Sequence, residues 1–137
     1  MKKKKSKKLV LDSWSLLAYF KKEKSGLKVK DLFHKASEGQ VVLYLNLINW
    51  GEVYYQVLRR FGEEKLRKVL GVIDQSSIEL VVVDKEMVAL AAEYKAKGKI
   101  SFADCFVLAT AKKVGGTIVT GDSEFKAFEK EARFLWL

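Results

Sequence analysis

Four acidic residues, Asp12, Glu52, Asp104 and Asp122, stand where carboxylates do more than solvate a surface. Asp12 closes the apolar run Leu9-Val10-Leu11, and Asp122 follows Thr117-Ile118-Val119-Thr120 across a glycine. Glu52 and Asp104 each fall early in a segment whose apolar spacing is helical. If the fold brings the four together, their mutual repulsion is costly unless a cation neutralises it or some members hold protons. Oxygen donors with no usable histidine select Mg2+ or Mn2+ over Zn2+. Each acid also has a plainer explanation. Ser101-x-x-Asp104 and Asn49-x-x-Glu52 have the form of capping boxes, and Asp12, Asp84 and Asp122 suit helix N-caps.

The elements that must position these residues are legible in order. Leu9 to Leu11 predicts a first buried strand, and Trp14, Leu16, Leu17, Tyr19 and Phe20 a short helix. Val29, Leu32, Phe33 and Ala36 mark a second helix, and Val41 to Leu45 a second strand. Asn46 suits the cap of a helix running to Gly62, followed by another from Glu63 to Asp74. Ile78 to Val83 predicts the third strand, Lys85 to Lys97 a helix, and Ser101 onward an Ala-rich helix that Gly115-Gly116 stops. Thr117 to Thr120 is the fourth strand by its β-branched make-up. Residues Glu124 to Lys130 read as helical, and Phe134-Leu135-Trp136 as a short last strand.

Strands alternating with helices imply an α/β domain with a mainly parallel sheet covered on both faces. In such a sheet every helix starts near the carboxyl ends of the strands. Asp12 and Asp122 as strand-end residues, and Glu52 and Asp104 as helix-start residues, therefore share one edge, where ligands of open α/β sheets sit. Asp84 qualifies there too, with Ser13, Asn46, Asn49, Ser101 and Thr120 as polar neighbours.

Composition bounds the remaining choices. At 137 residues, nearly half of them hydrophobic, the chain reads as one folded domain over 9–137, preceded by a basic and flexible tail over 1–8. Six of the nine net positive charges come from Lys2, Lys3, Lys4, Lys5, Lys7 and Lys8, so the excess says little about the folded part. The single cysteine, Cys105, permits no intrachain disulfide and fits a reducing cytoplasm, with packing as its role. No run is long enough to span a membrane. His34 is the only histidine, which excludes a two-histidine mechanism and disfavours a Ser-His-Asp triad. Gly115-Gly116 lacks the spacing of a phosphate-cradling loop. A phospho-receiver or phosphatase needs a second acid two residues after the first, and Trp14 stands there. Arg59, Arg60, Lys112 and Lys113 read as solvated helix faces.

The order Leu11-Asp12-Ser13, Asn46-x-x-Asn49-x-x-Glu52, Ser101-x-x-Asp104 and Thr120-Gly121-Asp122 before Phe125 resembles the PIN-domain nucleases. It looks most like the branch that serves as toxins of VapBC toxin–antitoxin pairs, and the likeness runs from Leu9 to Trp136. The resemblance implies a Rossmann-like parallel sheet in strand order 3-2-1-4-5. It further implies Mg2+ or Mn2+ held by Asp12, Glu52, Asp104 and Asp122, with Ser13, Asn49 and Thr120 as supporting polar groups. Hydrolysis of RNA phosphodiesters, a small inhibitory antitoxin and a homodimer complete what it implies. Asn46 and Asn49 depart from the family's usual Ser and Thr, though both keep polar oxygens. Two other functions fit the same residues: a non-catalytic binding module whose acids are caps or a docking patch, and a housekeeping RNA-processing nuclease.

Overall fold

The computed structural model of the chain describes residues 6–137. Five strands, β1 (Lys7–Leu11), β2 (Val41–Asn46), β3 (Ile78–Val81), β4 (Thr117–Thr120) and β5 (Arg133–Trp136), form one sheet in the order β3-β2-β1-β4-β5. Every pairing is parallel. The helices are α1 (Ser13–Phe20), α2 (Gly26–Ser37), α3 (Leu47–Gln75), α4 (Lys85–Lys97) and α5 (Phe102–Val114), with a 3-10 turn at Ser123–Phe128.

Alternation along the strands explains the two-sided core. Leu9, Leu11, Leu43, Leu45 and Val119 face one side, where they pack with Leu16 and Leu17 of α1, Leu32 of α2 and Val53, Val57, Leu66 and Val69 of α3. Val10 and Ile118 face the other side and meet Met87, Ala91 and the apolar face of α5. Because α5 packs with both the sheet and α4, every residue of it from Asp104 to Ala111 is buried. Burial of this kind is the main force holding a parallel sheet together.

Several boundaries differ from the sequence reading, three of them by more than a residue. β1 begins at Lys7, because Lys7 and Lys8 continue the ladder opposite Val41 and Val42. Residues 1–5 of the expected tail lie outside the described residues. β3 stops at Val81, where pairing with β2 ends opposite Asn46. The segment after Asp122 is a 3-10 turn, ending at Phe128. The break expected at Gly62 is present: its φ of 87° and ψ of 178° interrupt the helical path of α3 between two helical halves.

Gly26 shows how tightly α2 is set against α1. A methyl group there would stand 2.6 Å from the Ala18 carbonyl oxygen and 2.7 Å from Tyr19 Cα. Backbone cannot yield as a side-chain tip can, so Gly26→Ala is expected to lower stability by about 3 kcal/mol. Chemical denaturation of the two proteins checks this, and equal midpoints would refute the packing argument.

Candidate active site

The register sets the acids side by side. β1 lies between β2 and β4, with Leu11 opposite both Leu45 and Val119. One residue further along, Asp12 leaves the sheet beside Asn46 and Thr120. From this point β1 turns into α1 on one face, while the chain entering β4 has come from α5 on the other. The carboxyl edge of the sheet opens there.

Asp12 is buried and held from three sides. Its Oδ1 accepts the Ser15 N–H at 2.8 Å, and its Oδ2 accepts the Thr120 hydroxyl. Ser15 Oγ donates to the Asp12 carbonyl at 2.9 Å. Thr120 Oγ1 also accepts the Asp122 N–H at 3.0 Å, so one hydroxyl ties the two strand-end acids together. Asn46 caps α3 through the Ile48 N–H and donates from Nδ2 to Thr110 Oγ1, which fixes the start of α3 against α5. Asn49, one turn into α3, donates to Glu52 Oε1 at 3.0 Å and to the Ala103 carbonyl at 3.1 Å. Glu52 is thereby aimed at the first turn of α5, where Asp104 sits. Ser101 caps that helix by accepting the Asp104 N–H.

Asp104 is the common neighbour of the predicted acids: the charges of Asp12, Asp122 and Glu52 all act on it, while Asp12 itself stays out of the pocket lining. Glu52, Asp104, Asp122 and Ser13 line one pocket with Trp14 and Gln56. Burial pushes the Asp104 carboxyl up to about 7, and the charges of Asp12, Asp122 and Glu52 add to the rise. Burial also lifts Asp12, to about 6, against the hydrogen bonds from Thr120 and Ser15, which lower it. The caps are real as well: Asp12 caps α1 and Asp122 the 3-10 turn. Capping and clustering thus coexist in the same side chains. Asp84 does otherwise, since it caps α4 through the Met87 N–H and lines a different cavity, with Met87, Leu90 and Lys113.

Several contributors were missed by sequence reasoning. Glu124 joins Asp104 and Asp122, with one carboxylate oxygen from each lying within 4.8 Å of the others. Its signal was the two-residue spacing from Asp122, which the turn converts into proximity when the Glu124 N–H bonds Asp122 Oδ1 at 3.0 Å. Ser15, which anchors Asp12, carried no signal beyond its place three residues past a cap. Arg60, exposed as its reading as a solvated helix face requires, also lines the acidic pocket. Arg59 instead lies over the Tyr55 ring at 5.4 Å. Gly121 is required by Trp14, because a methyl at that position would overlap the indole.

The donor set suits a hard dication. Every nearby ligand atom is oxygen, and the histidine is spent elsewhere, His34 pairing with Glu38 on the exposed side of α2. Asn49 Oδ1, fully buried, has no hydrogen-bond partner among the described residues. Cys105 is buried on the apolar face of α5, and its thiol is pushed up by that burial, in keeping with a packing role.

Comparison with solved structures gives the same fold. The chain is similar to Mycobacterium tuberculosis VapC20, a sarcin-ricin loop cleaving toxin, at 16% identity and a TM-score of 0.71 over 87% of this chain and 93% of that one. It is similar to DNA-bound VapBC from Salmonella typhimurium at 18% identity and a TM-score of 0.74, covering 94% and 97% of the two chains. VapBC2 from Rickettsia felis, bound to a promoter DNA fragment, matches at 14% identity and a TM-score of 0.72 over 93% and 97%. No curated protein sequence matches the chain significantly. The sequence model of the PIN domain, however, matches residues 9–131, from the strand that carries Asp12 to beyond the turn that carries Glu124. With its sheet order and its acidic edge, the chain belongs to the PIN domain family.

Proposed function

We propose that the chain is a divalent-metal-dependent endoribonuclease, the toxin of a VapBC-type pair, with Asp12, Glu52, Asp104 and Asp122 as its catalytic and metal-holding residues. The observation that carries this is that Glu52, Asp104 and Asp122 line one pocket at the carboxyl edge of the sheet, with buried Asp12 close enough to act on the charge of Asp104. Capping accounts for one oxygen of Asp12 and one of Asp122, and leaves Glu52 and Glu124 unexplained.

Asp12, Glu52, Asp104 and Asp122 would hold a Mg2+ or Mn2+ ion, which would supply Lewis-acid activation of water and an offset to charge on a phosphate. The protein's own part is positional. Thr120 and Ser15 lock Asp12 in one rotamer, and Asn49 fixes Glu52 against α5, so the oxygens are preorganised. Ser101, capping α5 through the Asp104 N–H, sets the first turn that carries Asp104. Ser13 and Trp14 form the wall beside the acids and bound the space that a phosphodiester enters.

The partners proposed are RNA as substrate, a small antitoxin protein and a second copy of the chain, all in a reducing cytoplasm. Among the described residues, no helix is long and apolar enough to cross a membrane. The test is incubation of the purified full chain with RNA and Mg2+ or Mn2+, with EDTA as control. Fragments with 5′-phosphate and 3′-hydroxyl ends that vanish under EDTA are expected. Cleavage indifferent to EDTA would overturn the metal mechanism. No cleavage at any concentration of either metal would favour a non-catalytic binding module.

A further inference from the structure

A pocket of carboxylates repels the very polyanion it would have to cut. A metal ion offsets that repulsion at one phosphate only, so the flanking backbone needs cations of its own. Among the described residues only Lys21 and Arg60 line the acidic pocket as cations. Arg60 lies on the same stripe of α3 as Glu52 and Gln56, two turns further on, and so about 12 Å from Glu52 along the axis. Lys21 and Glu23 are shared with an adjoining trough lined by Phe20, Lys22, Phe61 and Lys65. The trough continues past Lys22 and Lys65 to Lys30.

Its charge is lopsided. Glu23 is the one acid lining the trough, and it pairs with Lys21 at 3.4 Å. Among the described residues, Lys22, Arg60 and Lys65 have no carboxylate within 4 Å, although Lys65 is half-buried. Phe61 presents a ring that is 50% exposed, beside Arg60 on the next residue of α3. Lys22 is the one non-glycine residue with positive φ among the described residues, at 57° in the turn between α1 and α2. The turn places Lys22 just past the C-cap of α1, among the residues that line the trough.

Resting on the nuclease reading above, we propose that Arg60, Lys22 and Lys65, with Phe61 between them, form the track that grips single-stranded RNA leaving the acidic pocket. The cations engage successive phosphates and the phenyl ring stacks on a base. Recognition of this kind tolerates many base sequences and sets how strongly the strand is held, not which bond is cut.

The test is fluorescence anisotropy of a labelled single-stranded RNA with the full-length chain in EDTA, from 50 to 200 mM salt. Lys22→Gly, Arg60→Gln and Lys65→Gln are each expected to weaken binding about three- to tenfold. Each should also lower the slope of log affinity against log salt by about 0.7. Phe61→Ala should weaken binding by a similar factor with the slope unchanged. Lys22→Gly should melt no lower than the parent, which separates lost grip from lost fold. Affinities and slopes that match the parent, or that drop equally for a distant Lys113→Gln control, would overturn the track. So would variants that bind RNA normally but lose affinity for an acidic amphipathic peptide, since the trough would then serve a protein partner. Failure of the parent to cut RNA with Mn2+, while these binding losses hold, would refute the nuclease reading and leave the track standing.

Discussion

Asp104→Asn is expected to cut Mn2+-supported RNA cleavage by about a thousandfold while raising the melting temperature of the metal-free chain above pH 7. The two effects have one origin. Asp104 is buried beside Asp12, Asp122 and Glu52, and its ionised form is therefore disfavoured in the folded chain. Asparagine keeps the shape and removes the charge. The cap of α5 survives, because Ser101 accepts the backbone N–H of residue 104 and not a side-chain group. A residue retained for stability would show both quantities falling together. Loss of activity with a gain in stability is the mark of acids gathered for a purpose. Cleavage at the parental rate, or a melting temperature lowered by several degrees, would refute the role assigned to Asp104.

The second large effect is on stability against pH. Asp12 and Asp104 titrate in the folded chain at about 6 and about 7, against 3.8 as the ordinary value for the unfolded chain. Between these limits the native state binds more protons than the unfolded one. The slope of unfolding free energy with pH is therefore negative. Stability is highest below pH 4, as far as these two groups are concerned, and falls as pH rises through 6 and then 7. Each pKa unit is about 1.4 kcal/mol, so even the Asp12 shift alone contributes on the order of 3 kcal/mol. Adding Mn2+ at pH 7.5 should reverse the loss, by about 2.7 kcal/mol at a hundredfold excess over the dissociation constant. Thermal melts from pH 4 to 8, with and without Mn2+, read both effects. A metal-free profile that rises across this window, or no response to Mn2+ at pH 7.5, would contradict the clustered-acid account.

What the sequence disclosed of the fold and the site follows from how local each cause is. Asp12 and Asp122 announce themselves because an apolar strand must end and a helix or turn must be capped, both nearest-neighbour effects. The sheet order could be anticipated from the family resemblance, and the pairings agree with it. Lys7 and Lys8 hid their strand because their pairing partners, Val41 and Val42, lie far along the chain and the two lysines look like tail. Arg59 and Arg60 are consecutive on a helix, so their side chains point about 100° apart. Only the packing of α3 decides that one stacks on Tyr55 and the other borders the acids. Glu124 depended on a turn whose 3-10 geometry differs from the α-helix that its composition suggests.

One consequence follows from the hydrogen bond that crosses 108 residues, from Thr120 to Asp12. β1 is synthesised first but occupies the middle of the sheet, and its β4 flank comes from near the far end of the chain. While the nascent polypeptide is still being extruded from the ribosome, Asp12 has no Thr120 and no Asp122 beside it. Non-local parallel pairing of this sort is among the later events of folding. The pocket therefore takes shape only once β4 has paired with β1 and brought Thr120 and Asp122 to Asp12.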